Sequence, residues 1–231
     1  MGKNTGIERY AHLMADWASS VIVAPGTNKF RDAEDVPLQA RKQFDDVFLR
    51  FSAIYTCIEN LDLCMKFIQA RRPRRKDIRL DQYLSYHIAA YIQEMYILSE
   101  RLEQYATLMM RRKKRSTSDA EVKKRFDALI ARMRKALNNI VHARGSHVHD
   151  RPFDDQSLEP LSTYALLGQF NQKFSDLAAR EYRISKRVWV ARLTANKVEL
   201  DKLVDLYFDF MHAELVPSWA EMLPNNSFKP K

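Results

Sequence analysis

The chain has 231 residues, of which 46% are apolar, so it can bury a hydrophobic core and general disorder is not expected. It holds only 5 glycines and 8 prolines, which is few for the turn-rich sandwiches, barrels and doubly wound sheets. No glycine-rich phosphate-binding pattern is present, which argues against a nucleotide-dependent enzyme. The formal net charge of +9 favours anionic partners, namely nucleic acid, an acidic protein or a membrane surface.

Helical periodicity accounts for most of the chain, and the sequence predicts an all-α, antiparallel bundle of five or six helices. Prolines, glycines and charged runs separate the helical segments. We divide the chain into an N-terminal helix and linker (1–36), a helical bundle domain (37–216) and a flexible C-terminal tail (217–231). The predicted helices, in chain order, cover about 6–23, 37–70, 79–112, 119–144 and the helical region 157–215.

The third helical segment has the clearest apolar repeat, with spacings of three and four residues. This seam predicts packing against another helix, either within the bundle or in a partner. His87 falls between two seam residues and is expected to be a core histidine. The seam consists of Leu84, Ile88, Tyr91, Met95, Leu98, Leu102 and Tyr105.

The two cysteines and the chain start bear on the compartment. Cys57 and Cys64 are about 10 Å apart along a helix, by the helical rise, which is too far for a disulfide. We therefore expect two buried thiols in a reducing compartment. Because no segment resembles a signal peptide or a membrane span, we expect a cytoplasmic protein with no membrane partner.

The stretch "ARGSHVHDRPFDD" (143–155) carries an arginine, histidines and acids directly after a long amphipathic helix, for which Gly145 is the natural stop. One interpretation is an ordinary charged helix end. A second is a metal site formed by His142, His147, His149 and Asp150, although this spacing matches no strong metal pattern and we expect neither a metal nor another cofactor. A third is acid–base chemistry on a phosphodiester, since histidine exchanges protons near neutral pH and arginine binds phosphate oxygens.

Two basic runs interrupt the helices, at 71–76 and 111–115. If consecutive helices alternate in direction, the first run and the 144–149 stretch lie at the same end of the bundle. A basic rim beside the histidines would suit a nucleic-acid backbone. The predicted nucleic-acid-binding residues are Arg71, Arg72, Arg74, Arg75, Lys76 and Arg151.

Arg144-Gly-Ser-His-Val-His149 fits an Arg, four residues and a His at the end of a long helix in a basic, all-α chain. This arrangement resembles the HEPN superfamily. The resemblance implies a helical bundle, homodimerisation, and in many members metal-independent cleavage of RNA with the motifs of two protomers facing each other. The implied catalytic residues are Arg144 and His149, and His147 is expected to assist.

The sequence therefore predicts an HEPN-like metal-independent endoribonuclease or RNA-binding protein, in which Arg144 and His149 act on the phosphodiester. The expected partners are RNA, a second copy of the chain and an antitoxin or other protein, as in toxin–antitoxin or defence systems. The alternative is a non-catalytic helical interaction module that binds a protein or nucleic acid through the seam and the basic helix ends.

Overall fold

The structure, a computed structural model, describes residues 5–22, 38–70, 73, 75, 77–114, 119–149 and 155–222. Side chains within these ranges are described except at 20, 38–41, 43, 44, 114, 119, 138–149, 156 and 215–222. Over this part of the chain the protein is all-α, which confirms the predicted fold class of a helical bundle. The helices are α1 (Gly6–Ile22), α2 (Leu38–Gln69), α3 (Leu80–Lys114), α4 (Asp119–His149), α5 (Glu159–Leu167) and α6 (Gln172–Met222), with a 3-10 turn at Gln156–Leu158 before α5.

Two helix ends differ from the prediction. α4 runs through Gly145 to His149, so the expected stop at Gly145 is wrong. Glycine is common after helix ends because it tolerates left-handed geometry, but it also adopts helical angles at a cost of about 1 kcal/mol. α6 continues past Pro217 to Met222, beyond the predicted end near Leu215.

The region after residue 157 forms two helices. α5 ends before Gly168, where a Cβ atom would lie 2.9 Å from Ser175 Oγ and 3.0 Å from Ser175 N, so a side chain here would crowd the turn into α6. The segment "YRISKRVWV" (182–190), whose apolar residues alternate partly as in a strand, lies inside α6.

Contacts divide the chain into two compact units built from discontinuous segments. Unit 1 comprises Met1–Tyr55, Arg101–Arg134 and Leu200–Lys231, and unit 2 comprises Thr56–Glu100 and Lys135–Glu199. Neither unit follows the linear division at residues 36 and 216, because α2, α3, α4 and α6 each contribute to both.

The core of unit 1 is aromatic. The Tyr10 ring packs 5.4 Å from Phe51 and 5.0 Å from Phe208, and the Tyr10 and Tyr105 hydroxyls are hydrogen-bonded at 2.6 Å. α1 can approach α6 closely at Gly6, where a Cβ atom would lie 2.3 Å from the Asp205 carbonyl oxygen. α1, which the sequence set apart from the bundle domain, is therefore packed into this unit.

The α3 seam is buried along its whole length. Leu84, Ile88, Leu98, Leu102 and Tyr105 have no exposed surface. Burying each such leucine or isoleucine contributes about 2 kcal/mol of hydrophobic free energy. The seam forms core within both units, so the expectation that it serves a binding partner is wrong.

Both cysteines and the buried face of α2 can be compared with the sequence. Cys57 and Cys64 are free and buried, as expected, and burial together with nearby Glu94 raises the pKa of Cys64. On the same helix, Tyr55 is exposed. The buried face of α2 instead includes Val47, Ile54 and Leu61.

Candidate nucleic-acid interface

The predicted catalytic residues Arg144, His147 and His149 lie in the last turns of α4. Their side chains are outside the described set, as are those of His142 and Asp150 from the metal hypothesis. Because α4 is continuous here, Arg144 and His147 are three residues apart and share a helix face. His149 is five residues from Arg144 and therefore about 140° around the helix axis.

Of the predicted RNA-binding cations, only Arg75 lies within the described residues. Its guanidinium donates Nε to Asp77 Oδ1 at 3.0 Å and Nη2 to Asp77 Oδ2 at 2.6 Å. The pair is highly exposed, with 76% of the Arg75 side chain accessible, so phosphate can compete with the carboxylate. Arg71, Arg72, Arg74, Lys76 and Arg151 fall outside the described residues. The predicted common location of this run and 144–149 stays a prediction.

Arg75 also lines a groove of about 330 Å³ in unit 2, between the segment before α3 and the α5–α6 turn. A second guanidinium, that of Arg79, is held by Asp81 through bonds of 3.1 and 2.8 Å. Asp81 is buried in the first turn of α3 and is also 3.5 Å from the Ser162 hydroxyl. Arg79 is therefore a structural cation, whereas Arg75 is available to an anionic ligand.

The C-terminal end of α2 is closed by side chains from two other helices. Lys186 of α6 donates Nζ to the Gln69 carbonyl at 3.0 Å and also to the Ala70 carbonyl. Tyr83 of α3 donates its hydroxyl to the Phe67 carbonyl at 2.9 Å. Partial burial lowers the pKa of Lys186 and raises the pKa of Tyr83. These bonds place a cation at the helix end where exposed carbonyls favour positive charge.

Beside this end lies a group of rings, called the ring cluster below, formed by Phe67, Tyr83, Tyr86 and His87. The imidazole of His87 stacks on Phe67, with centroids 4.8 Å apart and planes at 14°. Tyr83 and Tyr86 meet the imidazole edge-on at 4.6 and 5.3 Å. Partial burial lowers the pKa of His87, which favours the neutral form of the imidazole.

The prediction that His87 is a core histidine is wrong. It is half-buried and faces an aromatic group that reaches solvent, rather than joining the seam. Sequence reasoning missed this cluster because Phe67 comes from another helix. The usable signal was local: Tyr83, Tyr86 and His87 recur at the three- and four-residue spacing of one helix face.

A larger groove of about 670 Å³ lies in unit 1. Its lining mixes both signs of charge, including Lys42, Asp45, Asp46 and Arg50. Arg101 at this groove donates Nη1 to the Ala53 carbonyl at 2.6 Å. The walls of this groove therefore carry both signs of charge, in contrast to the exposed guanidinium at the smaller groove.

Among the described residues, no three histidine, cysteine or carboxylate side chains are grouped so that they could hold a metal ion. No helix in the described ranges is both long and apolar enough to cross a membrane. No protein family, curated protein or solved structure matches this chain.

Proposed function

We propose that this protein acts on RNA as an HEPN-like, metal-independent endoribonuclease. The observation that carries the proposal is the Arg144-x4-His149 motif on the last turns of a 31-residue amphipathic helix, in an all-α chain of net charge +9. RNA supplies its own nucleophile, the 2′-hydroxyl. The catalytic groups therefore need only move protons and stabilise charge on phosphorus.

In the proposed reaction His149 moves protons at the 2′-oxygen or the leaving 5′-oxygen. The 2′-oxygen bonds to phosphorus as the bond to the 5′-oxygen breaks, which leaves a 2′,3′-cyclic phosphate and a 5′-hydroxyl. Arg144 stabilises the negative charge on the phosphate oxygens. His147 lies on the same helix face as Arg144, and its proposed role is to orient Arg144 and His149.

The proposed biological setting is the cytoplasm, with a homodimer as the active form. In such a dimer each motif would complete its site with that of the second copy. This division would suit the wide angular separation of Arg144 and His149 on one helix. An antitoxin or similar protein that covers the motif is a further proposed partner.

The test is cleavage of labelled single-stranded RNA in EDTA by the wild type and by His149→Ala, with His147→Ala and Arg144→Gln alongside. Wild type is expected to give 2′,3′-cyclic phosphate ends. His149→Ala and Arg144→Gln are expected to lose at least a hundredfold in rate, in keeping with loss of acid–base or charge stabilisation.

Circular dichroism of each variant controls for the fold. Equal cleavage by His149→Ala with the helix content retained would remove His149 from the mechanism. Cleavage that disappears in EDTA would contradict the metal-independent reaction.

A second candidate function is a non-catalytic helical interaction module, and one surface of α6 favours it. Within unit 2 an exposed stripe of aliphatic residues covers about 80° of the helix surface, at spacings of three, four and seven. Such a stripe suits packing against another helix. It consists of Leu177, Ile184, Val188, Ala191, Ala195 and Val198.

A further inference from the structure

Two rings of the ring cluster are exposed to an unusual degree for aromatic side chains. Tyr86 is 71% accessible and Phe67 is 43% accessible. Large apolar rings usually lie inside, and a contiguous exposed group of them marks a surface that binds something. The cluster therefore differs from the core tyrosines of the same helix, such as Tyr91, which is buried.

The rings are held in place before any ligand arrives. His87 stacks on Phe67 at 4.8 Å, and Tyr83 is anchored through its hydroxyl bond of 2.9 Å to the Phe67 carbonyl. Because these contacts already restrict the rings, stacking a planar ligand on them costs little additional side-chain conformational entropy.

Cationic residues occur next to Phe67 on α2 and at the C-terminal end of this helix. Lys66 is exposed and precedes Phe67 directly on α2, and the Lys186 ammonium group sits at the end of the same helix. The basic run 71–76 follows this helix end in the sequence. Exposed rings beside cations are the features that bind unpaired nucleotides, with bases stacking on rings and phosphates meeting the positive charges.

We propose that the ring cluster is a stacking platform for unpaired bases of single-stranded RNA. This inference rests on the proposed function and names the form of its substrate: a strand whose bases are free to leave their stack. The ring faces accept any base, so the platform contributes affinity for single strands rather than sequence preference.

The experiment measures binding of a fluorescein-labelled, mixed-sequence single-stranded RNA 12-mer by anisotropy, in the His149→Ala background so that the probe stays intact. Tyr86→Ala and Phe67→Leu remove a ring, the second with little change in apolar volume. Each is expected to weaken binding about tenfold, as loss of one base–ring stack does. The slope of affinity against salt should not change, because no cation is removed.

Phe170→Ala is the matched control. Phe170 is 83% exposed in the same unit, on the turn between α5 and α6, outside the ring cluster. Its removal should leave RNA affinity unchanged. A duplex RNA of the same length should bind with equal affinity to the protein with the native ring cluster and to both ring variants, because its bases are not available for stacking.

Each other outcome has a defined meaning. If the wild-type protein cleaves and binds RNA, and Tyr86→Ala and Phe67→Leu bind RNA with the same affinity, the platform is overturned and the proposed function stays intact. An equal loss of affinity for duplex and single-stranded RNA in the ring variants would also overturn the platform. No cleavage and no RNA binding by the wild type would overturn both proposals. A change in sedimentation rather than in RNA affinity would make the cluster a protein-binding surface instead.

Discussion

At the scale of single residues, Glu214 is a buried carboxylate of unit 1 that two cations hold. Its carboxylate, largely buried, accepts Lys113 Nζ at 2.8 Å and Arg125 Nε at 3.0 Å. Lys113 is itself mostly buried. The carboxylate therefore joins α3, α4 and α6 within this unit, and its removal would leave a buried ammonium group without this counter-charge.

We expect Glu214→Ala to lower the free energy of unfolding by about 3 kcal/mol, because a buried charge loses its partner. Urea unfolding followed by circular dichroism measures the change. Glu103→Ala is the control: Glu103 pairs with Arg134 on the exposed surface, where water screens the salt bridge and its loss should have much less effect on stability. Equal losses in the two variants would contradict the view that burial determines the energy of the Glu214 pair.

At the scale of elements, the end of α2 illustrates how a helix is stopped and then stabilised. The "RRPRRK" run predicts a break, since proline cannot continue a helix, and α2 ends at Gln69. The carbonyls left at this end are satisfied by Lys186, which is more than a hundred residues away in the sequence. The local sequence therefore ends the helix, whereas a side chain from a distant helix caps it.

Lys186→Met keeps the aliphatic length of the side chain but removes both hydrogen bonds to the Gln69 and Ala70 carbonyls. We expect a loss of about 1.5 kcal/mol in unfolding free energy, the usual contribution of a bond to a charged group. Amide exchange near the end of α2 should also accelerate. Arg187→Met, at an exposed position one residue further along α6, should change neither quantity. Unchanged exchange in Lys186→Met would show that the cap does not stabilise this helix end.

At the scale of the whole molecule, the homodimer remains a prediction, and the α6 stripe is the surface on which it can be tested. Val188 lies midway along the length of the stripe and is exposed. Val188→Asp would place a charge within an apolar contact between copies, which is strongly unfavourable. We expect sedimentation velocity at tens of micromolar protein to give a dimer for the wild type and a monomer for Val188→Asp.

Asn196→Asp is the matched control, because it introduces the same charge at an exposed α6 position about 120° from the centre of the stripe. It should sediment as the wild type does. A wild-type monomer, or a Val188→Asp dimer, would rule out this face as the interface. If Val188→Asp is dimeric and still cleaves RNA, the predicted homodimer forms through another surface.

Helical periodicity alone predicted the element types and much of the core. The seam from Leu84 to Tyr105 is buried as its spacing indicated. The long amphipathic helix α4 likewise buries one face, which includes Val122, Phe126, Met133 and Leu137. These predictions succeed because a residue's position around a helix follows directly from its number in the sequence. Periodicity does not by itself select the buried face, as the exposed Tyr55 on α2 illustrates, since several faces of a long helix carry apolar residues and packing partners choose between them.

The sequence by itself determined the all-α class, the spacing that keeps Cys57 and Cys64 apart, and the candidate motif of Arg144 and His149. Only the tertiary structure decided that His87 stacks on Phe67 and that Lys186 closes α2. The physical reason is that periodicity records each helix's own geometry, whereas ring stacking and capping depend on which distant helix lies opposite. That choice is made by the packing of the whole core, and no local stretch of sequence encodes it.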